Sequence, residues 1–141
     1  MRCSDVRSAI VDKLRGITPD AQGSEQDVFK VVELGYRELQ GAPDRTCTVL
    51  LIIPPARANL HLAQDLYTAT FDLSISYADY RSVSDRIGDD GEKISQAMEA
   101  LAGENADIVH IDMSGTGIEE LEGYLNTTYS LNVDYKLDSG V

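Results

Sequence analysis

The stretch that decides the fold is residues 67–77, YTATFDLSISY, in which apolar and polar side chains alternate without a break. A strand places successive side chains on opposite faces, so this alternation separates the two sets. The even-numbered positions carry only Thr, Asp and Ser. The odd-numbered positions form an apolar and aromatic face: Tyr67, Ala69, Phe71, Leu73, Ile75 and Tyr77. The pattern predicts a strand in a sheet with one face buried and the other in water.

Two amphipathic helices are predicted, one at the start of the chain and one after this strand. The first spans Asp5–Arg15, where apolar residues recur at helical spacing. The second is predicted to begin with Asp89 as N-cap and Glu92 three residues later, a pair that resembles a capping box. Gly103 is expected to end it. Its apolar stripe consists of Ile94, Ala97, Met98 and Leu101.

Two further strands are predicted before residue 67. Asp27–Leu34 is rich in β-forming residues. Thr46–Ile53 does not alternate, so it is expected to be buried on both faces. We expect it to stop at Pro54 and Pro55, because proline cannot donate a hydrogen bond to a neighbouring strand.

The end of the chain predicts two more strands. Ile108–Met113 is the first, followed by a turn at Gly115 and Gly117. Leu121–Leu137 alternates over its whole length, which would span about 56 Å if straight. A single domain of this size has a radius of gyration of about 14 Å. This strand must therefore bend, bulge near Gly123, or pair beyond its own domain.

Together these elements predict one α+β domain over residues 1–141, since 141 residues is an ordinary length for one domain. The order is α-β-β-β-α-β-β. The fold expected is a mainly antiparallel β-sheet with two amphipathic helices packed on one face.

The charge balance excludes some partners. The chain has 24 Asp and Glu against 12 Lys and Arg, a formal charge of −12. Residues 85–141 hold 13 acidic and 3 basic residues, a net of −10. General binding to nucleic acid or to an anionic membrane needs cations, so both are disfavoured. The first residues, MRCSDVRSAIVDKL, have no signal-like apolar run, so we expect an intracellular protein with Cys3 and Cys47 reduced.

No pattern predicts catalysis, a cofactor or a metal. The two histidines, His61 and His110, accompany no recognisable nucleophile motif. Residues 115–117 (GTG) lack the lysine of a phosphate-binding loop. The acidic residues of 85–92 miss the spacing of an EF-hand loop. The sequence therefore favours a structural or assembly protein over an enzyme.

The order of elements resembles that of a known family, above all in the second half. LYTATFDLSISYA (66–78) leads to a polar turn and the helix GEKISQAMEALAG (91–103). The strand ADIVHIDMSG (106–115) and the closing segment EGYLNTTYSLNVDYKLD (122–138) follow, and SDVRSAIVDKLRG (4–16) supplies the opening helix. In this order the chain resembles the tail terminator (tail completion) proteins of tailed bacteriophages. The resemblance covers nearly the whole chain except Pro54–Asp65, and it is a pattern of elements without a specific motif.

The resemblance implies a virion protein, assembled in the host cytoplasm, that forms a homohexameric ring at the head-proximal end of the tail. Such a ring stops polymerisation of the tail tube protein and presents a surface to the neck or head-completion protein. DNA would pass through it without specific binding, and an acidic channel would not grip phosphates. A closing strand too long for its own domain could add to a neighbour's sheet.

Two groups of residues are candidates for these contacts. The loop after the prolines offers Arg57, Asn59 and His61 for contact with the tube or neck. The channel wall would take Glu119, Glu120 and Glu122. Three other classes stay open: another head–tail connector or neck (head-closure) protein, an acidic module that mimics DNA, and a small enzyme built on scattered carboxylates.

Overall fold

The strand predicted from residues 67–77 lies in the middle of a single sheet. The computed structural model describes residues 1–17, 30–31, 45–57, 66–78, 83–121 and 123–137. Within them the elements are α1 (Cys3–Arg15), β1 (Lys30–Val31), β2 (Thr46–Arg57), β3 (Leu66–Tyr77), α2 (Val83–Glu104), β4 (Ile108–Leu121) and β5 (Tyr124–Lys136). The sheet order is β1-β2-β3-β5-β4, and all pairings are antiparallel except that of β1 with β2.

The α+β fold is confirmed, with one difference in its elements. The four long strands are antiparallel, and with the two helices they follow the order α-β-β-α-β-β. The strand predicted at Asp27–Leu34 is described only as the two-residue β1, which runs parallel to the start of β2. The rest of that segment lies outside the described residues.

Both helices pack on the same face of the sheet, the face formed by the odd-numbered side chains of β3. Phe71 and Leu73 are fully buried there, and so are Ile10 of α1 and Ile94 of α2. One continuous core cluster contains these residues together with buried side chains of β2, β4 and β5. The two predicted apolar stripes therefore meet the predicted apolar face of β3.

The opposite face of β3 is less exposed to solvent than predicted. Thr70, Ser74 and Ser76 are buried, although their positions alternate with the core residues. Ser74 lies between Thr48 of β2 and Thr128 of β5. Thr48 is fully buried as well, so this part of the second face is not in water, and alternation alone overestimates its exposure.

Helix α2 begins earlier than predicted. It starts at Val83, six positions before Asp89, so Asp89 is inside the helix and is not its N-cap. Asp90 is fully buried. It lies four residues before Ile94, in line with the apolar stripe, and this places its carboxylate against the sheet.

Strand β2 continues through both prolines to Arg57, which corrects the prediction that it stops at Pro54. Proline is tolerated because, among the described strands, β2 beyond its first residues is paired on one side only, with β3, and register shifts interrupt that pairing between Leu51 and Ala56. Its burial also differs. Residues 46–49 are buried as predicted, whereas residues 51–57 are exposed.

The last two strands form a hairpin, and this corrects two predictions. Gly115 and Gly117 do not make a turn, because β4 runs through them with a register shift. The chain reverses instead near Gly123, whose φ of 85° suits glycine. The alternating segment 121–137 is therefore not one strand. Strand β5 pairs with β3 and β4 along its length, so it has no free edge to offer a neighbour.

Candidate assembly surfaces

The outer part of β2 is an exposed apolar edge. Among the described residues, β1 pairs with β2 at Thr46 and Cys47 and not beyond them. Farther along, Leu51, Ile52 and Ile53 are 45%, 48% and 55% exposed. Apolar side chains on an unpaired edge are a template for pairing with another strand. Within the described residues, no second strand covers this part of β2.

The other edge of the sheet is β4. It pairs with β5 on one side, and among the described strands none pairs with it on the other. Its exposed apolar residues are Val109 and Ile118, at 48% and 62%. Ile118 and Glu119 also line a shallow surface groove next to the hairpin. Among the described strands, β4 and the part of β2 beyond Cys47 therefore each have one unpaired side, and both carry exposed apolar side chains.

Of the predicted contact residues that the structure describes, Arg57 and Glu120 lie at opposite ends of the sheet. Arg57 is the exposed last residue of β2 and pairs with Tyr67. Glu120 pairs with Leu125, which in turn pairs with Tyr77 at the far end of β3. Ten residues of strand separate the two levels, about 33 Å. Asn59, His61 and Glu122 lie outside the described residues.

Glu119 and Glu120 are both exposed, but they do not share a surface. Consecutive strand residues point to opposite faces. Glu120 shares the helix-covered face with Leu125 and Tyr77, and Glu119 shares the opposite face with Asn126. Of the two, only Glu119 lies on the face against which neither described helix, α1 or α2, packs, which we call the helix-free face.

That helix-free face carries an acidic group that sequence reasoning did not single out. Asp112 pairs with Asn132, and the neighbouring positions on the same face include Asp72 and Asp134. Partial burial raises the pKa of the Asp72 carboxyl. The even-numbered positions of β3 predict this face, but the sequence could not show that β4 and β5 add acidic residues to it.

A buried polar cluster joins α2 to the sheet. The Asp90 carboxylate accepts a hydrogen bond from the Tyr77 hydroxyl at 2.8 Å and from Arg45 Nε and Nη2 at 3.1 and 3.2 Å. Burial raises the pKa of the Asp90 carboxyl, while the hydrogen bond from Tyr77 and the charge of Arg45 oppose that shift. Burial and the nearby Asp90 charge raise the pKa of Tyr77. Arg86 lies over the Tyr77 ring, 5.7 Å from its centre.

The sequence does not predict this cluster, because Asp90 directly follows Asp89, the predicted N-cap of α2. The position of Asp90 four residues before Ile94 is the signal that could have predicted its burial. The carboxylate has no exposed surface, so its contacts hold α2 on β3 and do not present an acid to a substrate. Within the described parts of the chain, no three His, Cys, Asp or Glu side chains are grouped closely enough to hold a metal ion.

Comparison with known proteins leaves the family open. A scan against protein-family models gives no match, and a search of the curated proteins gives none either. Among the helices that the structure describes, none is long and apolar enough to cross a membrane.

Proposed function

We propose that this chain is a tail-terminator-type virion protein. In this role it forms a hexameric ring on the head-proximal end of the tail tube, ends tube growth and offers a surface to the neck protein. The observation that carries the proposal is the arrangement of elements around one sheet. Helix α1, strands β2 and β3, helix α2 and the β4–β5 hairpin follow the order on which the resemblance rests, with both helices on one face.

The charge of the helix-free face supports a role next to DNA. Asp72, Asp112, Asp134 and Glu119 share this face, and the Lys positions on it among the described strand residues are Lys30 and Lys136. Four acidic positions against two basic ones leave this face net negative, and a negative surface repels phosphates. We therefore assign the channel wall to the part of this face on β4, where Asp112 and Glu119 are exposed, with Glu119 retained from the predicted group. Glu120 is on the other face and is left out.

A capping experiment tests the proposal. The tail tube protein of the same virus is polymerised with and without this chain, and tube lengths are measured by electron microscopy. We expect shorter tubes, with this protein at one end only. Tubes of unchanged length, with the protein absent from their ends, would contradict the proposal.

The nearest alternative gives a different result. A neck or head-closure protein would bind DNA-filled heads and leave tube growth unchanged. A DNA mimic would inhibit a nucleic-acid enzyme as a monomer or dimer. Adding filled heads to one arm of the capping experiment separates the first alternative from the terminator.

A further inference from the structure

The exposed apolar side chains are concentrated at the two edges of the sheet. Among the described residues, the large hydrophobic side chains that remain exposed are all on β2 and β4: Leu51, Ile52, Ile53, Val109 and Ile118. We propose that the outer part of β2 in one copy pairs with the free edge of β4 in a second copy, head to tail. This pairing is the subunit contact of the proposed ring. The closure of such contacts into a ring rests on the proposed function.

Strand direction favours this pairing. The strands β2, β3, β5 and β4 are antiparallel to one another in turn, so β2 and β4 run in opposite directions. A second copy placed beside the first in the same orientation therefore brings its β4 antiparallel to β2. That is the pairing mode of the rest of the sheet. Repeating one such contact around an axis generates a ring.

The exposed apolar side chains of β2 and β4 that would meet are also on the same face of the sheet. Leu51 pairs with Phe71, so it is on the helix-covered face. Ile118 pairs with Thr127, which pairs with Ile75 on that same face. Ile75 lies four residues along β3 from Phe71, so a shift of about 13 Å between the two copies brings Leu51 and Ile118 together on the same side, where they shield each other from water.

Charge favours the contact between β2 and β4 over a symmetric contact between two β4 strands. Strand β2, TCTVLLIIPPAR, has no acidic residue and ends in Arg57. Strand β4, IVHIDMSGTGIEEL, has three acidic residues and neither Lys nor Arg. A β4–β4 contact would bring carboxylates together, whereas a β2–β4 contact places the acidic strand next to one without acids.

The segment of β2 available for pairing is short. The Val49 carbonyl already accepts a hydrogen bond from Arg7 Nε at 2.8 Å. Pro54 and Pro55 have no N–H to donate. The contact therefore involves residues 50–53, and the prolines keep the edge from extending without limit.

Lysine substitutions at the two edges test the contact. Leu51→Lys and Ile118→Lys each place an ammonium group in the proposed apolar contact, and Gln96→Lys on the exposed surface of α2 adds the same charge elsewhere. The mass of each protein is measured by light scattering over a concentration series. We expect each edge variant to raise the concentration needed for assembly by roughly 100-fold or more, because burying an unpaired charge is costly. Gln96→Lys should behave as wild type, and thermal melts by circular dichroism establish that all variants are folded.

Cross-linking tests which edges meet. In a Cys3→Ser background, Leu51→Cys and Ile118→Cys proteins are treated with a short bismaleimide, separately and mixed. We expect covalent dimers only in the mixture, and a ladder up to the closed ring from the protein that carries both cysteines. Cross-linking of either protein with itself would overturn the head-to-tail pairing.

The outcomes separate this inference from the proposed function. If the wild type caps tubes and both lysine variants assemble normally, the ring uses other surfaces and the inference is wrong. If the edges cross-link as expected but tubes are not capped, the contact stands and the terminator function is wrong. A wild type that stays monomeric at every concentration, with and without tubes, contradicts both.

Discussion

Removing the Asp90 carboxylate should destabilise the protein by about 3 kcal/mol. The fully buried carboxylate accepts hydrogen bonds from Tyr77 and Arg45. In Asp90→Ala, the buried Tyr77 hydroxyl loses its acceptor, which costs about 1–3 kcal/mol. Breaking a buried ion pair costs about 3–5 kcal/mol. The Arg45 side chain is 27% exposed, so water replaces part of its lost bonding and its share of the cost falls well below that of a fully buried pair. Together with the Tyr77 hydroxyl, the total cost is about 3 kcal/mol.

The pH dependence of Asp90→Asn tests the electrostatic part of this reasoning. Burial raises the pKa of the Asp90 carboxyl above its ordinary value of 3.8, so the folded protein holds the proton more tightly than the unfolded chain. The contribution of Asp90 is then fully present below pH 3.8 and is lost as the pH rises through the folded-state pKa. Wild type should therefore lose stability relative to Asp90→Asn as the pH increases. Asp72 titrates in both proteins, so its effect cancels.

The assay is urea unfolding followed by circular dichroism, with Asp89→Ala as the matched control. Asp89 is the exposed neighbour in the same helix, and its loss should change the free energy of unfolding by less than about 0.5 kcal/mol. Tyr77→Phe should cost about 1.5 kcal/mol, since it removes one hydrogen bond to a charged group. The reasoning is wrong if Asp90→Ala is no less stable than Asp89→Ala. It is also wrong if the free energy of unfolding of the wild type increases relative to that of Asp90→Asn as the pH rises.

Two further predictions concern a pair of glycines and the two thiols. Gly88→Ala should stabilise α2 by about 0.5–1 kcal/mol because a Cβ there meets nothing within 4 Å, whereas Gly91→Ala should be less stable than Gly88→Ala by about 1 kcal/mol because its Cβ would lie 2.9 Å from the Tyr129 hydroxyl. Equal urea midpoints for the two variants would show that Tyr129 moves aside freely. In the native protein a thiol reagent should modify half-buried Cys3 and leave Cys47, since Cys47 is fully buried and burial raises its pKa to about 12. Release of two thiols per chain without denaturant would contradict this.

Elements with a long, unbroken pattern could be predicted from the sequence. Strand β3 was found because eleven residues alternate and the strand is paired on both sides. The apolar stripe of α2 could also be predicted because its helical spacing is regular. The predicted start of the helix is too late, because α2 begins at Val83. Local charge favoured Asp89 as a cap, while the contacts that bury Asp90 come from Arg45 and Tyr77, which no local pattern connects to it.

Edges and reversals could not be predicted because they depend on which strands are neighbours. The prolines of β2 would end a central strand, but β2 lies toward the edge of the sheet and continues to Arg57. The alternation of 121–137 continues across the reversal near Gly123, so it reads as one strand. The acidic face and the opposite directions of β2 and β4 follow from the sheet order alone.

The solution mass of the wild-type protein tests the central claim most directly. Light scattering at several protein concentrations and two salt concentrations, repeated with tail tubes present, measures the number of subunits. The account predicts a mass of six subunits, in free solution or on the tube ends, that is lost in Leu51→Lys and Ile118→Lys and kept in Gln96→Lys. A monomer under all of these conditions would contradict it.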